Sequence, residues 1–474
     1  MAPSRLLDLP METLMMIIEE LCLHCLSAGN ISEHSWRAVH AIRQEALAAL
    51  ALTSKLLNTL VTPHLYHEPT GDWTLLMRTL VERPDLMPHV KSLQIEEGAP
   101  NFQCLEKTAD GYIIMDALNA KIEERDEGAF GDYEEEDDID SWGEGTGDDI
   151  NTVEFLISLC PNMAHLDIAL DYCGPRFTMI GDRGLPDLKD LTLGFMDTES
   201  GWDMSLISRL PGLAPNLSSL HCRAISGPAD FSDKFENLTT LDLYMCNIET
   251  GVLGPILRAM PRLEILAFVA GDACISFEPH LSMREMQDVL TLHAPGLKSL
   301  LVDLEIGNHE SVVESSDLWT SLNGLTKLEH LNFDYRCIFP YHEQQPITIV
   351  NGQPAVLPSP APGRNLFVDL LPPSIQTVRF DHGPVVGGGG ADGPSYSESV
   401  DVLLPALEYL SSVAAERFPS LRWFEITNAY RLKGDMDAIQ SVMEAGGIQF
   451  VAGVQSNHGY MPCADENTYR ARYV

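Results

Sequence analysis

The sequence predicts an α/β fold: a solenoid of short parallel strands along an inner face with helices outside, preceded by a small all-helical module. Three observations predict it. A motif of apolar, two variable, apolar, one variable, apolar recurs ten times in the 474 residues. Helix-like segments precede most copies, and a strand and helix alternating at a fixed period is the arithmetic of stacked repeats. The first 68 residues lack the motif and carry apolar stripes at helical spacing instead. A hydrophobic fraction of 45% excludes wholesale disorder.

The copies run from Val90-x-x-Leu93-x-Ile95 through Met163-x-x-Leu166-x-Ile168, Leu188-x-x-Leu191-x-Leu193 and Leu217-x-x-Leu220-x-Cys222. Leu238-x-x-Leu241-x-Leu243, Leu263-x-x-Leu266-x-Phe268 and Leu297-x-x-Leu300-x-Val302 follow. The series ends with Leu328-x-x-Leu331-x-Phe333, Ile375-x-x-Val378-x-Phe380 and Leu421-x-x-Phe424-x-Ile426. First positions from Met163 to Leu328 lie 25, 29, 21, 25, 34 and 31 residues apart. Helices are expected over Thr152–Leu159, Gly251–Met260, Met283–Leu292, Ser311–Leu322 and Val400–Phe418. Each unit alone leaves an apolar face wet, and stacking buries it. The repeat resembles a leucine-rich repeat of the irregular kind, with the usual Asn after the strand present only at Asn247 and Asn428.

Interruptions punctuate the array. Glu123 to Asp149 holds fourteen acids and one base, and like-charge repulsion predicts a disordered acidic insert over 121–150. Six prolines between Pro340 and Asn365, and six glycines between Gly383 and Ser395, predict loops at 340–365 and 383–396. The repeats are then expected to span 69–453, with 454–474 a polar tail.

Within residues 1–68, Leu9, Pro10, Leu14, Ile17, Ile18 and Leu21 trace one helical stripe, with Pro10 in the first turn, where its missing N–H costs nothing. Leu47, Leu50, Leu52, Leu56, Leu57 and Leu60 trace another, which stops at Pro63. Spacing alone fits a helical cap over the first repeat as well as a docking module. The phrasing Leu9-Pro10-x-Glu12-x-Leu14-x-x-Ile17, then Thr53-Ser54-Lys55-x-Leu57 and Pro63-x-Leu65-Tyr66, resembles an F-box. The text continues as in fungal F-box proteins with repeats, through Leu75-Leu76-Met77-Arg78-Thr79-Leu80 and Arg83-Pro84-Asp85-Leu86. It departs from that family in a longer insert between Leu21 and Leu47.

The resemblance implies a substrate-recognition subunit of a cullin–RING ubiquitin ligase, its first module binding a Skp-type adaptor on the cullin scaffold and its repeats binding a protein substrate. Carried over by position, Leu9, Pro10, Leu14, Ile17, Ile18, Leu50 and Leu56 would face the adaptor. A repeat scaffold without a ligase role, its first helices only a cap, is the alternative.

Strand periodicity puts the positions between the apolar residues on the concave face. Acids fall there at Asp167, Asp190, Asp242, Asp303, Asp334, Asp381 and Glu425, with bases at Arg223 and Arg379. Tyr244, Ile265, Val269, Leu301 and Trp423 add aromatic and apolar neighbours. A substrate presenting a basic segment suits such a face. A net charge of −39 argues against nucleic acid and against an anionic membrane surface as partners. No apolar run approaches the ~20 residues that span a bilayer, and Asp8, Pro10 and Glu12 interrupt the opening segment. A cytoplasmic or nuclear protein with reduced thiols is expected.

Chemistry is sparse. Cys22-x-x-Cys25 is the one close CxxC, and the expectation is that no second pair at the right spacing follows to complete a four-ligand zinc set, so both read as buried thiols. Gly388-x-Gly390-x-x-Gly393 matches a dinucleotide fingerprint in letters, but Pro394 follows and no helix starts there. GxxxxGK[ST], HExxH and GxSxG are absent. Neither an enzyme nor a cofactor is expected.

Overall fold

Each of the ten motifs begins with the same corner. In a computed structural model describing residues 6–25, 33–95, 108–128, 146–170, 176–195, 202–227, 231, 233–271, 281–304, 317–339, 347–350, 353–356, 363–381, 400–427 and 436–452, the amide of the first apolar residue donates to the carbonyl three residues earlier. These bonds run from Val90 to Met87 through Leu421 to Phe418, at 3.0–3.5 Å. Eight of the ten corners carry Pro at their second position, Pro88 and Pro161 among them, where its fixed φ pre-sets a turn. After the corner, two successive amides converge on one carbonyl of the preceding unit: Ala164 and His165 on Lys91, Glu329 and His330 on Lys298, Gln376 and Thr377 on Glu329. The rungs are thereby aligned by backbone bonds alone.

The chain forms two compact units, residues 1–196 with 209–218 and 460–474, and 197–208 with 219–459. The first opens with helices α1 (Met11–Leu21), α2 (Glu33–Ala51), α3 (Lys55–Leu65) and α4 (Trp73–Glu82). Strand β1 (Ser92–Ile95), helices α5 (Ala109–Gly128) and α6 (Thr146–Ser158), strands β2 (His165–Leu170) and β3 (Asp190–Phe195), and the short helix α7 (Leu210–Leu213) follow. The strands are parallel and neighbours in chain order, Leu93 level with Leu166 and Leu166 with Leu191. The carbonyl of His67 accepts the amides of Lys91 and Ser92, both at 2.9 Å, which is the rung pattern one step early.

Two ends of the acidic stretch are helical. Residues 121–128 close α5 and 146–150 open α6, because Ile114, Leu118, Val153, Phe155 and Leu156 bury apolar faces that hold both helices. The centre of the run lies outside the described residues. Glu154 on α6 is buried and accepts the amides of Arg176, Thr178 and Met179 and the Thr178 hydroxyl at 2.6–3.1 Å. Four donors explain why a carboxylate tolerates that position.

The second unit holds a short pair, β4 (Trp202–Asp203) with β6 (Ile225–Ser226), and eight parallel strands in chain order. These are β5 (Ser219–Arg223), β7 (Thr240–Cys246), β8 (Ile265–Ala270), β9 (Ser299–Asp303), β10 (His330–Asp334), β13 (Thr377–Asp381), β14 (Trp423–Thr427) and β15 (Gln449–Ala452). Helices α8 (Thr250–Arg258), α9 (Met283–His293), α10 (Leu366–Leu370), α11 (Val400–Arg417) and α12 (Met436–Ala445) lie between them in sequence. Register stacks like on like: Leu220, Leu241, Leu266, Leu300, Leu331, Val378, Phe424 and Phe450 form one buried row. Phe333 and Phe380 lie 5.2 Å apart in the next row, and Phe367 of α10 stacks edge-on against Phe424 at 5.3 Å.

All ten predicted strands are present, and one more: β15 escaped notice because it follows a Gly446-Gly447 turn rather than a proline corner. The loop expected at 340–365 contains an antiparallel pair, β11 (Ile347–Val350) and β12 (Gln353–Val356). Its sequence signal was Asn351-Gly352 between apolar runs, outweighed by six prolines. The helix expected over Ser311–Leu322 is not α-helical in its described part, residues 317–322. Residues 383–396, with their glycine fingerprint, and the tail 454–474 lie outside the described residues. No helix among the described residues is long and apolar enough to cross a membrane.

Candidate functional site

Helices α1, α2 and α3 close on a small core of Ile18, Cys22, Leu47, Ala51 and Val61, with Met15, Leu21, Leu50, Leu60 and Leu65 packed against it. Ser54 caps α3 through its hydroxyl, which accepts the Leu57 amide at 3.2 Å. The insert after Leu21 is largely helix, since α2 runs unbroken from residue 33. His40 on α2 is buried, 3.7 Å from the Glu68 carboxylate. Burial pushes Glu68 up to about 7.

The predicted adaptor-facing residues divide. Leu14 and Ile18 are buried within the module, Leu9, Ile17 and Leu50 are half-buried, and Pro10 and Leu56 are exposed. Other apolar side chains are more exposed than these, notably Met16 at 65% and Leu52 at 87%, with Leu6, Leu7 and Met11 also in solvent. The stripe found the inner side of α1. The solvated apolar residues lie on the helix face between its members and in the turn after α2, where periodicity carries no signal.

The strand face also divides. Asp167, Asp190, Asp303, Asp381, Tyr244 and Glu425 are half-buried or more open, and Trp423 is 41% exposed. Asp242 and Asp334 are buried, as are Val269 and Leu301. Several of the acids have cationic or titratable neighbours of their own: Asp190 with His165 at 2.7 Å, Asp242 with His221 at 3.5 Å, Asp334 with Arg336 at 3.0 Å and Glu425 with Arg379 at 4.0 Å. In register, His221, Asp242, Ala267, Leu301, Asn332, Arg379, Glu425 and Val451 form a single row. Counting acids against Lys and Arg overlooked the histidines, which supply part of the balance.

A third constellation was half visible. Cys22 caps the C-terminus of α1 and Cys25 follows in a turn whose amide returns to the Cys22 carbonyl at 3.1 Å. His64 occupies the last turn of α3, and the His67 amide returns to its carbonyl at 3.4 Å. The two pairs meet. Cys22 Sγ lies 3.4 Å from His67 Nδ1, and Cys25 Sγ lies 3.5 Å from Nδ1 of both His64 and His67. Burial pushes the Cys22 thiol up to about 12. Burial, then the rings of His64 and His24, hold His67 down to about 4, and burial also holds His64 low. Cys25 is exposed, not buried as its sequence context suggested. The expectation that no second pair follows is corrected: His64-x-x-His67 has the same spacing, and the packing of α1 against α3 brings it to the cysteines.

The fold is that of an α/β protein with a large parallel sheet. No protein-family model matches the chain, and no curated protein matches it.

Proposed function

We propose that the chain is the substrate-recognition subunit of a cullin–RING ubiquitin ligase, an F-box-like module followed by a leucine-rich-repeat solenoid. The observation that carries this reading is the helical module's division of its apolar residues. Its core closes on Ile18, Leu47 and Val61, while Leu7, Met11, Met16, Leu52 and Leu56 stay in water. Exposed apolar side chains in such number on a small module are a docking surface rather than a requirement of folding. Strands paired parallel in chain order, ten of them begun by the same backbone corner and eight of those corners carrying proline, support the solenoid.

In this role the chain catalyses nothing. The module grips a Skp-type adaptor on the cullin, and the part of the row at Arg379 and Glu425, with Trp423 beside it, holds a protein substrate near the transferring enzyme; proximity is the whole contribution. Co-purification of the full chain with a Skp-type adaptor tests this. Met11→Asp with Leu56→Asp is expected to reduce adaptor capture at least tenfold while the melting temperature stays within a few degrees. Undiminished capture by that variant, or none by the parent chain, defeats the proposal and leaves the helices as a cap.

A further inference from the structure

We propose that Cys22, Cys25, His64 and His67 form a structural zinc site that fastens α1 to α3 beside the first strand. The ligand atoms of all four lie within 4.8 Å of one another. In a tetrahedral site with Zn–S of about 2.3 Å and Zn–N of about 2.0 Å, neighbouring ligand atoms stand roughly 3.3–3.8 Å apart. The sulfur–nitrogen separations of 3.4–3.5 Å already match that spacing.

The local structure that brings them there is symmetrical. Each pair is spaced i, i+3 at the C-terminal end of a helix, and each is closed by a backbone turn between its members. Such spacing points two ligands to the same side, and helix C-termini carry the negative end of the backbone dipole, which favours a cation. Two thiolates balance the charge of the dication, and two neutral imidazoles complete the set. Four ligands from protein leave no open position, which marks a structural centre and not a catalytic one. Paired sulfur and imidazole donors in tetrahedral array select zinc over the harder calcium and magnesium.

The consequence reaches the sheet. The His67 carbonyl takes the place of a preceding rung for Lys91 and Ser92, so an ion fixing His67 also fixes where β1 starts. This inference stands independently of the ligase reading.

The full chain, expressed with zinc and purified without chelator, is expected to hold about one zinc by elemental analysis. Cys22→Ser with His64→Ala should lose at least nine-tenths of it. His64→Cys, which substitutes one ligand for another, should retain it, and Cys160→Ser, a buried thiol elsewhere, should also retain it. Cobalt exchanged into the unmutated chain should give tetrahedral visible bands with thiolate-to-cobalt charge transfer, a readout that needs no variant to fold. A chain without stoichiometric zinc, zinc retained by the double variant, a cobalt spectrum lacking the thiolate band, or a Cys22–Cys25 disulfide in the purified chain overturns the proposal.

Discussion

Asp334 ends β10 with 1% of its side chain exposed, and Arg336, 14% exposed, reaches back to it through Nε at 3.1 Å and a terminal nitrogen at 3.0 Å. Burial raises the Asp334 carboxyl above its ordinary range, and Arg336 offsets part of that rise. Asp381 on the neighbouring strand opposes it, and Asp303 adds to the field around Arg336. An acid raised in the folded state stabilises the fold fully below its unfolded pKa and loses that contribution as pH climbs through the folded value. Removing the guanidinium raises Asp334 further and leaves a buried carboxylate unbalanced above that pKa. Arg336→Met is therefore expected to cost about 3–5 kcal/mol at neutral pH. The difference from the parent should shrink as pH falls toward the range where Asp334 takes up its proton. Urea denaturation of both chains at several pH values checks this; a penalty below 1 kcal/mol at neutrality, or one flat in pH, would refute it. Asp334 belongs to the scaffold of its strand rather than to a face a substrate can reach.

Among the elements, the row Leu266, Leu300 and Leu331 is buried and runs across three neighbouring strands. Leu300→Ala in its centre is expected to cost about 2–5 kcal/mol, by lost transfer energy and the cavity left behind, measured as a shift of the denaturation midpoint at unchanged slope. These strands were legible because three inward residues restate the same instruction ten times, eight times with a corner proline ahead of them. β15 lacked the proline, and β11 with β12 lay among too many prolines. The half-helical acidic stretch was misread because net charge spoke louder than Ile114 and Phe155. Of the sites, the helical module was legible as a stripe, yet the stripe picks out buried Leu14 and Ile18 as readily as solvated Leu56. Of the four Cys and His ligands only the cysteine pair was legible, since Cys25 and His64 stand 39 positions apart and meet only when α1 and α3 pack.

The whole molecule carries 69 acids against 30 Lys and Arg. Self-repulsion of that size opposes compaction, and added salt screens it over a Debye length of about 10 Å at 0.1 M. The melting temperature is expected to rise by several degrees between very low and about 0.2 M ionic strength, by scanning calorimetry; a fall would mean that attractive pairs such as Asp334 with Arg336 outweigh the net charge. The corners have a separate bearing on how such a chain can change. Each meters only the start of its own strand, and the stretches 96–107, 129–145, 340–365 and 382–399 all fall after one strand of the large sheet ends and before the next corner. Growth or deletion there leaves every rung's alignment untouched, so lineages of this chain are free to drift widely in length while the spacing from proline to strand stays fixed.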